Sequence, residues 1–342
     1  MEVTRLQELI RQFPGCRIAV LGDFFLDKYL DVDPALAEVS VETGKTAHQV
    51  ASIRCSPGAA GTVVNNLAAL GAGELHLFGI IGDDGEGYEL RKALQRLGCK
   101  TESLLTLPER FTPTYLKPRD CRTADLSGEH ERYDTKNRQP MPVDAQDKVL
   151  ARLERLLPQI DAVTIQDQVE EAECGIVTTK VRESLAQFAG RYPEKIFWGD
   201  SRCRIGLFRN IIIKVNAHEV VKEAFPAGTD ANDKIVTQAM AALRKRIGKP
   251  VFVTAGRRGI WISDPEPTLV RGVRVPEPTD PTGAGDSATA AGVLALCAGA
   301  SLPEAALMAN LVASITVQQL ATTGTASPDQ IGPRLEMWLS QG

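Results

Sequence analysis

Strand-length apolar runs alternate with helical patterns along most of this 342-residue chain. Runs at 17–21, 75–80, 160–165, 195–198, 211–215, 251–254 and 259–263 read as strands. Segments 59–70, 88–97 and 233–246 read as helices; the first follows Pro57-Gly58 and stops at Gly71, and the second stops at Gly98. Ser301-Leu302-Pro303-Glu304 is a capping box that opens a further helix towards residue 320. Strands separated in this way by helices form a mainly parallel sheet covered on both faces, so the expected class is α/β. Segments 31–56 and 111–134 break the alternation, with β-branched and Tyr residues and few helix signals. They are expected to form a small β lid over the carboxyl ends of the strands, where such sheets bind ligands.

Composition narrows the function classes. The chain is long enough for one large α/β domain, taken here as residues 1–342 with the lid included. A formal charge of −4 argues against nucleic acid as a partner bound through bulk charge. No apolar run reaches membrane-span length, and Met1-Glu2-Val3-Thr4-Arg5 opens an amphipathic helix pattern rather than a signal peptide. The seven Cys are scattered and form no C-x-x-C, which fits a reducing cytoplasm; the four His lack zinc-site spacing.

The motif richest in chemistry is Asp280-Pro281-Thr282-Gly283-Ala284-Gly285-Asp286, expected between a strand at 269–275 and a helix at 287–298. A Gly-rich turn at a helix N-terminus presents backbone N–H groups and positive potential, a cradle for phosphate. A carboxylate in the same cradle makes sense as the acceptor of a hydroxyl proton beside a phosphoryl group under attack. The helix N-terminus is expected to keep Asp286 ionised at neutral pH. The same residues also suit an ordinary Gly-capped turn.

D-x-T-G-A-G-D before a small-residue helix resembles the signature of the ribokinase-like (PfkB) carbohydrate kinases. The resemblance implies a three-layer α/β fold with a lid, and transfer of the γ-phosphoryl of ATP with Mg²⁺. It implies Asp286 as base and Gly283, Ala284 and Gly285 as anion hole. Gly22-Asp23-Phe24-Phe25-Leu26-Asp27-Lys28-Tyr29 follows the first strand and is similar to the heptose-phosphate kinase branch; there Asp27 would hold the sugar. Pro57-Gly58-Ala59-Ala60-Gly61-Thr62 resembles the family's P-G-G-A-A-N. It makes Gly58 and Thr62 substrate-binding positions, although Ala59 and Thr62 depart from the usual Gly and Asn. A Thr hydroxyl lacks the amide's paired donor and acceptor.

Asn216-Ala217-His218-Glu219 is similar to the family's N-x-x-E, implying that Asn216 and Glu219 organise Mg²⁺ through water; the pattern is equally an N-cap with a capping-box Glu. Thr254-Ala255-Gly256-Arg257-Arg258-Gly259 resembles a nucleotide segment, with Thr254, Gly256, Arg257 and Gly259 near the phosphates, and is otherwise a hairpin turn. Asn310 and Gly324 match positions near the base. Asp280 and Thr282 match a K⁺ site of several relatives. Lys117, Arg119, Arg122 and Arg132 fall in the lid segment as a basic cluster for a substrate phosphate or as a solvated face. Gly82-Asp83-Asp84-Gly85-Glu86-Gly87 reads as a structural turn. The implied partners are a small sugar or sugar phosphate and a second copy of the chain, paired through the lid. Two other readings stay open: a nucleoside kinase of the same fold, and a sugar-sensing protein without turnover.

Overall fold

The computed structural model describes residues 1–123, 126–320 and 322–342. Helix α1 (Val3–Gln12) leads into strand β1 (Arg17–Gly22). The chain then leaves along β2 (Phe24–Val32), makes the short hairpin β3 (Glu38–Val39) and β4 (Thr46–Ala47), and returns through β5 (Val50–Ala59) into α2 (Ala60–Ala69). Next come β6 (Glu74–Gly82), α3 (Gly85–Arg96) and β7 (Leu104–Leu107). A second excursion, β8 (Thr114–Asp120) and β9 (Tyr133–Thr135), precedes α4 (Val143–Leu156). The chain then runs through β10 (Ala162–Asp167), α5 (Thr179–Arg191), β11 (Ile196–Ser201), β12 (Ile212–Asn216), α6 (Ala217–Lys222) and α7 (Asp233–Ile247). Strands β13 (Val251–Thr254), β14 (Gly259–Ile262) and β15 (Thr268–Arg271) follow, then helices α8 (Ala284–Cys297), α9 (Leu302–Thr316) and α10 (Pro328–Ser340).

Among the described residues, nine strands form one sheet in the order β15-β14-β13-β12-β11-β10-β1-β6-β7, parallel from β13 to β7. Alternate side chains of each strand enter opposite cores. Ile18 and Val20 pack under α1, α2, α8 and α9, while Ala19 and Leu21 pack under α4 and α5. These two apolar layers make the α/β/α sandwich that the alternation predicts. The excursions form a second sheet, β5-β2-β8-β9, in which β2 pairs antiparallel with β5 and parallel with β8. This small sheet corresponds to the expected lid, but it starts earlier than residue 31: β2 begins at Phe24, so Asp27 lies within it. Among the described residues, no helix is long and apolar enough to cross a membrane.

Several boundaries differ from the sequence reading. The strand expected at 269–275 ends at Arg271, and the following helix starts at Ala284 instead of residue 287. Gly283 adopts φ 75° and caps that helix, so Asp286 falls inside the first turn. Helix α9 stops at Thr316 and not near residue 320.

Candidate active site

The parallel strands end on one side of the sheet, and α8 presents its N-terminus there. Gly283, Gly285 and Asp286 line a cleft of about 840 Å³ together with Asp200 at the end of β11 and Lys214 and Asn216 on β12. A helix supplies no internal carbonyl to the N–H groups of its first turn. Of the three residues expected as anion hole, Ala284 turns its N–H back to Pro281 O at 3.1 Å. Gly283 and Gly285 border the cleft directly.

Asp286 departs from the expectation that it is ionised at neutral pH. Burial pushes its carboxyl up to about 7, and the nearby Asp200 charge pushes the same way; Lys214 and Arg202 offset them in part. The helix dipole is therefore outweighed by the loss of water around the carboxylate. Lys214 and Asp200 face each other in register on β12 and β11, with Nζ 2.7 Å from Oδ2. Burial alone would lower the Lys214 ammonium, but the Asp200 carboxylate holds it above its ordinary value. A cation thus stands beside the carboxyl of Asp286. The sequence reading missed this pair, yet Lys214 is a lone charge in the apolar run Ile211-Ile212-Ile213-Lys214-Val215, which is a usable signal.

Asn216 and Glu219 form the capping box of α6: the Asn216 Oδ1 accepts from Glu219 N–H at 2.9 Å, and Glu219 Oε2 accepts from Asn216 N–H at 2.9 Å. Both also line the cleft, and burial raises the Glu219 carboxyl, with the Asp200 charge adding to it. No group of three or more His, Cys, Asp or Glu among the described residues is placed to hold a metal alone. The donor set suits an ion that keeps most of its waters and shares nucleotide phosphates, as Mg²⁺ does. At the other proposed cation position, Asp280 Oδ1 accepts from Thr282 N–H at 2.9 Å.

A second cleft, of about 820 Å³, shares Thr254, Gly256, Pro281 and Gly285 with the first. Arg257, Gly259, Asn310 and Val317 also line it. Arg257 is ion-paired with Glu277. The Asn310 amide donates to Val270 O and Arg271 O at 2.9 and 3.1 Å, so it braces the cleft wall. Gly324 packs against Thr316 and the Gln319 side chain.

On the lid, Asp27 and Tyr115 stand opposite each other on β2 and β8. The Lys117 ammonium lies 3.0 Å from Asp27 Oδ1, both side chains being largely buried. A Cβ at Gly58 would come within 2.7 Å of Asp27 Oδ2, so only Gly lets β5 lie this close. Thr62 is buried in the first turn of α2. The Asp27 charge adds the smallest part of the upward push on the Asp286 carboxyl. Of the expected basic cluster, Lys117 and Arg132 meet over the Tyr115 ring, while all four residues have partners of their own. Lys117 faces Asp27, Arg132 lies over the Tyr115 ring and pairs with Asp134, Arg119 donates to Thr123 O, and Arg122 pairs with Asp120.

Residues 211–330 match the family described as pfkB family carbohydrate kinase. The bifunctional protein HldE of Desulfatibacillum aliphaticivorans is 28% identical over 322 residues, covering 93% of this chain and 62% of its own length. HldE of Caulobacter sp. (strain K31) is 30% identical over 339 residues, covering 96% and 64%. The chain therefore spans a little under two thirds of these curated relatives. Arabidopsis thaliana ribokinase, solved with ribose and ATP, superposes with a TM-score of 0.67 at 18% identity, over 94% of this chain and 99% of that one.

Proposed function

We propose, for a chain that carries a pfkB carbohydrate kinase match on a ribokinase-like fold, transfer of the γ-phosphoryl group of ATP to a hydroxyl of a sugar or sugar phosphate. The observation that carries this reading is Asp286 in the first turn of α8, lining the first cleft next to Gly285, which borders both clefts, with the Lys214–Asp200 pair beside it. The acceptor would lie between Asp27, Gly58 and Thr62 on one side and Asp286 on the other. Asp286 would take the hydroxyl proton as the oxygen bonds to phosphorus. The N–H groups around Gly283 and Gly285, with Lys214, would receive the charge on the transferring group. The nucleotide would lie along Thr254, Gly256, Arg257, Gly259 and Asn310, with Gly324 close by. Asn216 and Glu219 would orient waters of Mg²⁺, which when bound neutralises phosphate charge. A K⁺ ion at Asp280 and Thr282 would act only on the shape of the turn before α8.

A heptose-phosphate-like acceptor is the narrower form of this proposal, supported by the Gly22 to Tyr29 pattern and by the HldE relatives. We take residues 1–342 as one kinase domain of a cytoplasmic protein. Exposed Val39, Val41 and Ile53 in and around the lid support pairing of two copies there. ATP consumption across pentoses, hexoses, heptoses, their terminal phosphates and nucleosides tests the whole reading. Turnover with nucleosides alone would move the assignment to a nucleoside kinase, and binding without turnover to a sensor.

Two further results are expected. Only ionised Asp286 accepts a proton, and its carboxyl titrates at about 7. Acceptor kcat/KM should therefore be level above that pH and fall about tenfold per unit below it. A profile flat to pH 5.5 would remove Asp286 as base or show that it titrates elsewhere. Glu219→Gln should raise the Mg²⁺ concentration needed for half-maximal rate more than it raises acceptor KM. An unchanged Mg²⁺ titration would count against Glu219.

A further inference from the structure

The turn Gly82 to Gly87 joins β6 to α3 and reads, by sequence, as local punctuation. In the fold it grips a residue far along the chain. Asp84 caps α3, its Oδ1 accepting from Gly87 N–H at 2.7 Å. That bond is what any N-cap makes. The same carboxylate also holds Thr112: Oδ2 accepts from Thr112 N–H at 2.8 Å and Oδ1 from the Thr112 hydroxyl at 2.7 Å. The hydroxyl oxygen in turn accepts from Gly82 N–H at 2.9 Å. Thr112 is 1% exposed, so these bonds are shielded from water.

Both glycines are needed where the turn closes on itself and on this contact: the nearest obstacle to a Cβ is Arg110 O at 2.5 Å for Gly82 and Gly82 O at 2.5 Å for Gly87. A Cβ on Gly82 would stand 2.7 Å from Thr112 N, and one on Gly87 would stand 2.8 Å from Thr112 Oγ1. The G-x-D-x-x-G spacing thus builds a tight socket in which the turn's own backbone, Arg110 O and Thr112 leave no space for a Cβ at either glycine. Thr112 is two residues before β8, the strand that carries Tyr115 and Lys117. Pro113 O accepts from Leu26 N–H at 2.8 Å, next to Asp27 on β2. The first turn of α3 holds β2 as well, through Glu86 and Lys28 at 2.9 Å. One rigid turn on the main sheet therefore fixes the roots of both central lid strands.

We infer that Asp84 and Thr112 are positioning residues for the acceptor: their hydrogen-bonded socket sets the height of β2 and β8, and so of Asp27 and Lys117, above Asp286. This rests on the kinase reading for its kinetic consequence, but not for its structural one. The test is Thr112→Val, which keeps the shape and removes the hydroxyl bonds, beside Thr112→Ser, which keeps the hydroxyl. Thr112→Val should raise KM for the best acceptor of the sugar and sugar-phosphate panel about 3- to 10-fold, with ATP KM and kcat nearly unchanged. Amide hydrogen exchange in peptides from β2 and β8 should speed up, while exchange in α8 and β12 stays as in the unmodified protein. Thr112→Ser should restore both readouts. Equal rises in both KM values, or unchanged exchange in β2 and β8, would overturn the inference. If the unmodified protein phosphorylates nothing in the panel, the exchange arm alone decides the socket, and only the kinase reading falls.

Discussion

Asp286→Asn is expected to lower turnover by about 10²- to 10⁴-fold, with ATP and acceptor binding close to those of the unmodified protein. The substitution keeps the side-chain shape and leaves the first-turn N–H groups of α8 in place. It replaces the ionisable carboxylate with an amide, which takes no proton at neutral pH. Folding should not confuse the result. The Asp286 carboxyl is pushed up to about 7, so the folded protein binds this proton more tightly than the unfolded chain does. Its contribution to stability is full below the ordinary carboxylate range and declines as pH rises towards 7. A neutral Asn avoids that decline, and the variant should be at least as stable as the unmodified protein at pH 7. Calorimetry checks the binding half and single-turnover transfer the chemical half. Transfer near the unmodified rate would defeat the mechanism.

The second large effect is expected at Asp27. Asp27→Ala removes a charged acceptor for substrate hydroxyls, a loss of roughly 1.5–3 kcal/mol, or about 10- to 150-fold in acceptor affinity. ATP affinity should hold. The single variant also strands Lys117, whose ammonium lies 3.0 Å from Asp27 in a mostly buried position. An unpaired buried charge is itself destabilising by about 3–5 kcal/mol. Asp27→Ala with Lys117→Met separates the two effects. If the double variant folds and binds acceptor normally, Asp27 does not hold the sugar; if it folds and binds ATP alone, the assignment stands.

How legible each part was depends on the range of the contacts that make it. Gly283 and Asp286 could be read directly, because a Gly-rich turn and an acidic first turn are local features. Asp27 was picked out but its strand was not. Asp23, Asp27, Lys28 and Asp31 interrupt the apolar pattern, and β2 exists because β5 and β8 pair with it from elsewhere in the chain. The Lys214–Asp200 pair depends on the register of β11 against β12, which no single segment encodes. The state of Asp286 was misjudged for a related reason: the helix end is visible in sequence, while the packing that excludes water is not. Helix α4 is encoded locally: Ala145, Val149, Leu150 and Leu153 recur at helical spacing and are all buried. Helix α10 carries Pro333 in its interior, which argues against a helix by sequence.

The sheet order has a consequence for how the molecule comes together. From β10 to β15 each strand lies beside its successor in the chain, so this half can assemble by closing only the single connection between neighbouring strands. Strand β1 instead sits between β6 and β10, with Ile18 opposite Ala162. That pairing must close a loop holding both lid excursions and α2 to α4, an entropic cost that falls late unless other contacts have already drawn the halves together. Asp27 and Gly58 belong to the half that docks across this seam, while Lys214 and Asp286 belong to the half that assembles from neighbours. The two sides of the proposed catalytic cleft thus belong to halves that the main sheet joins only through the β1–β10 pairing, with the packing of α2 on α8 as a second contact across the seam, so the cleft is complete only once the halves have docked.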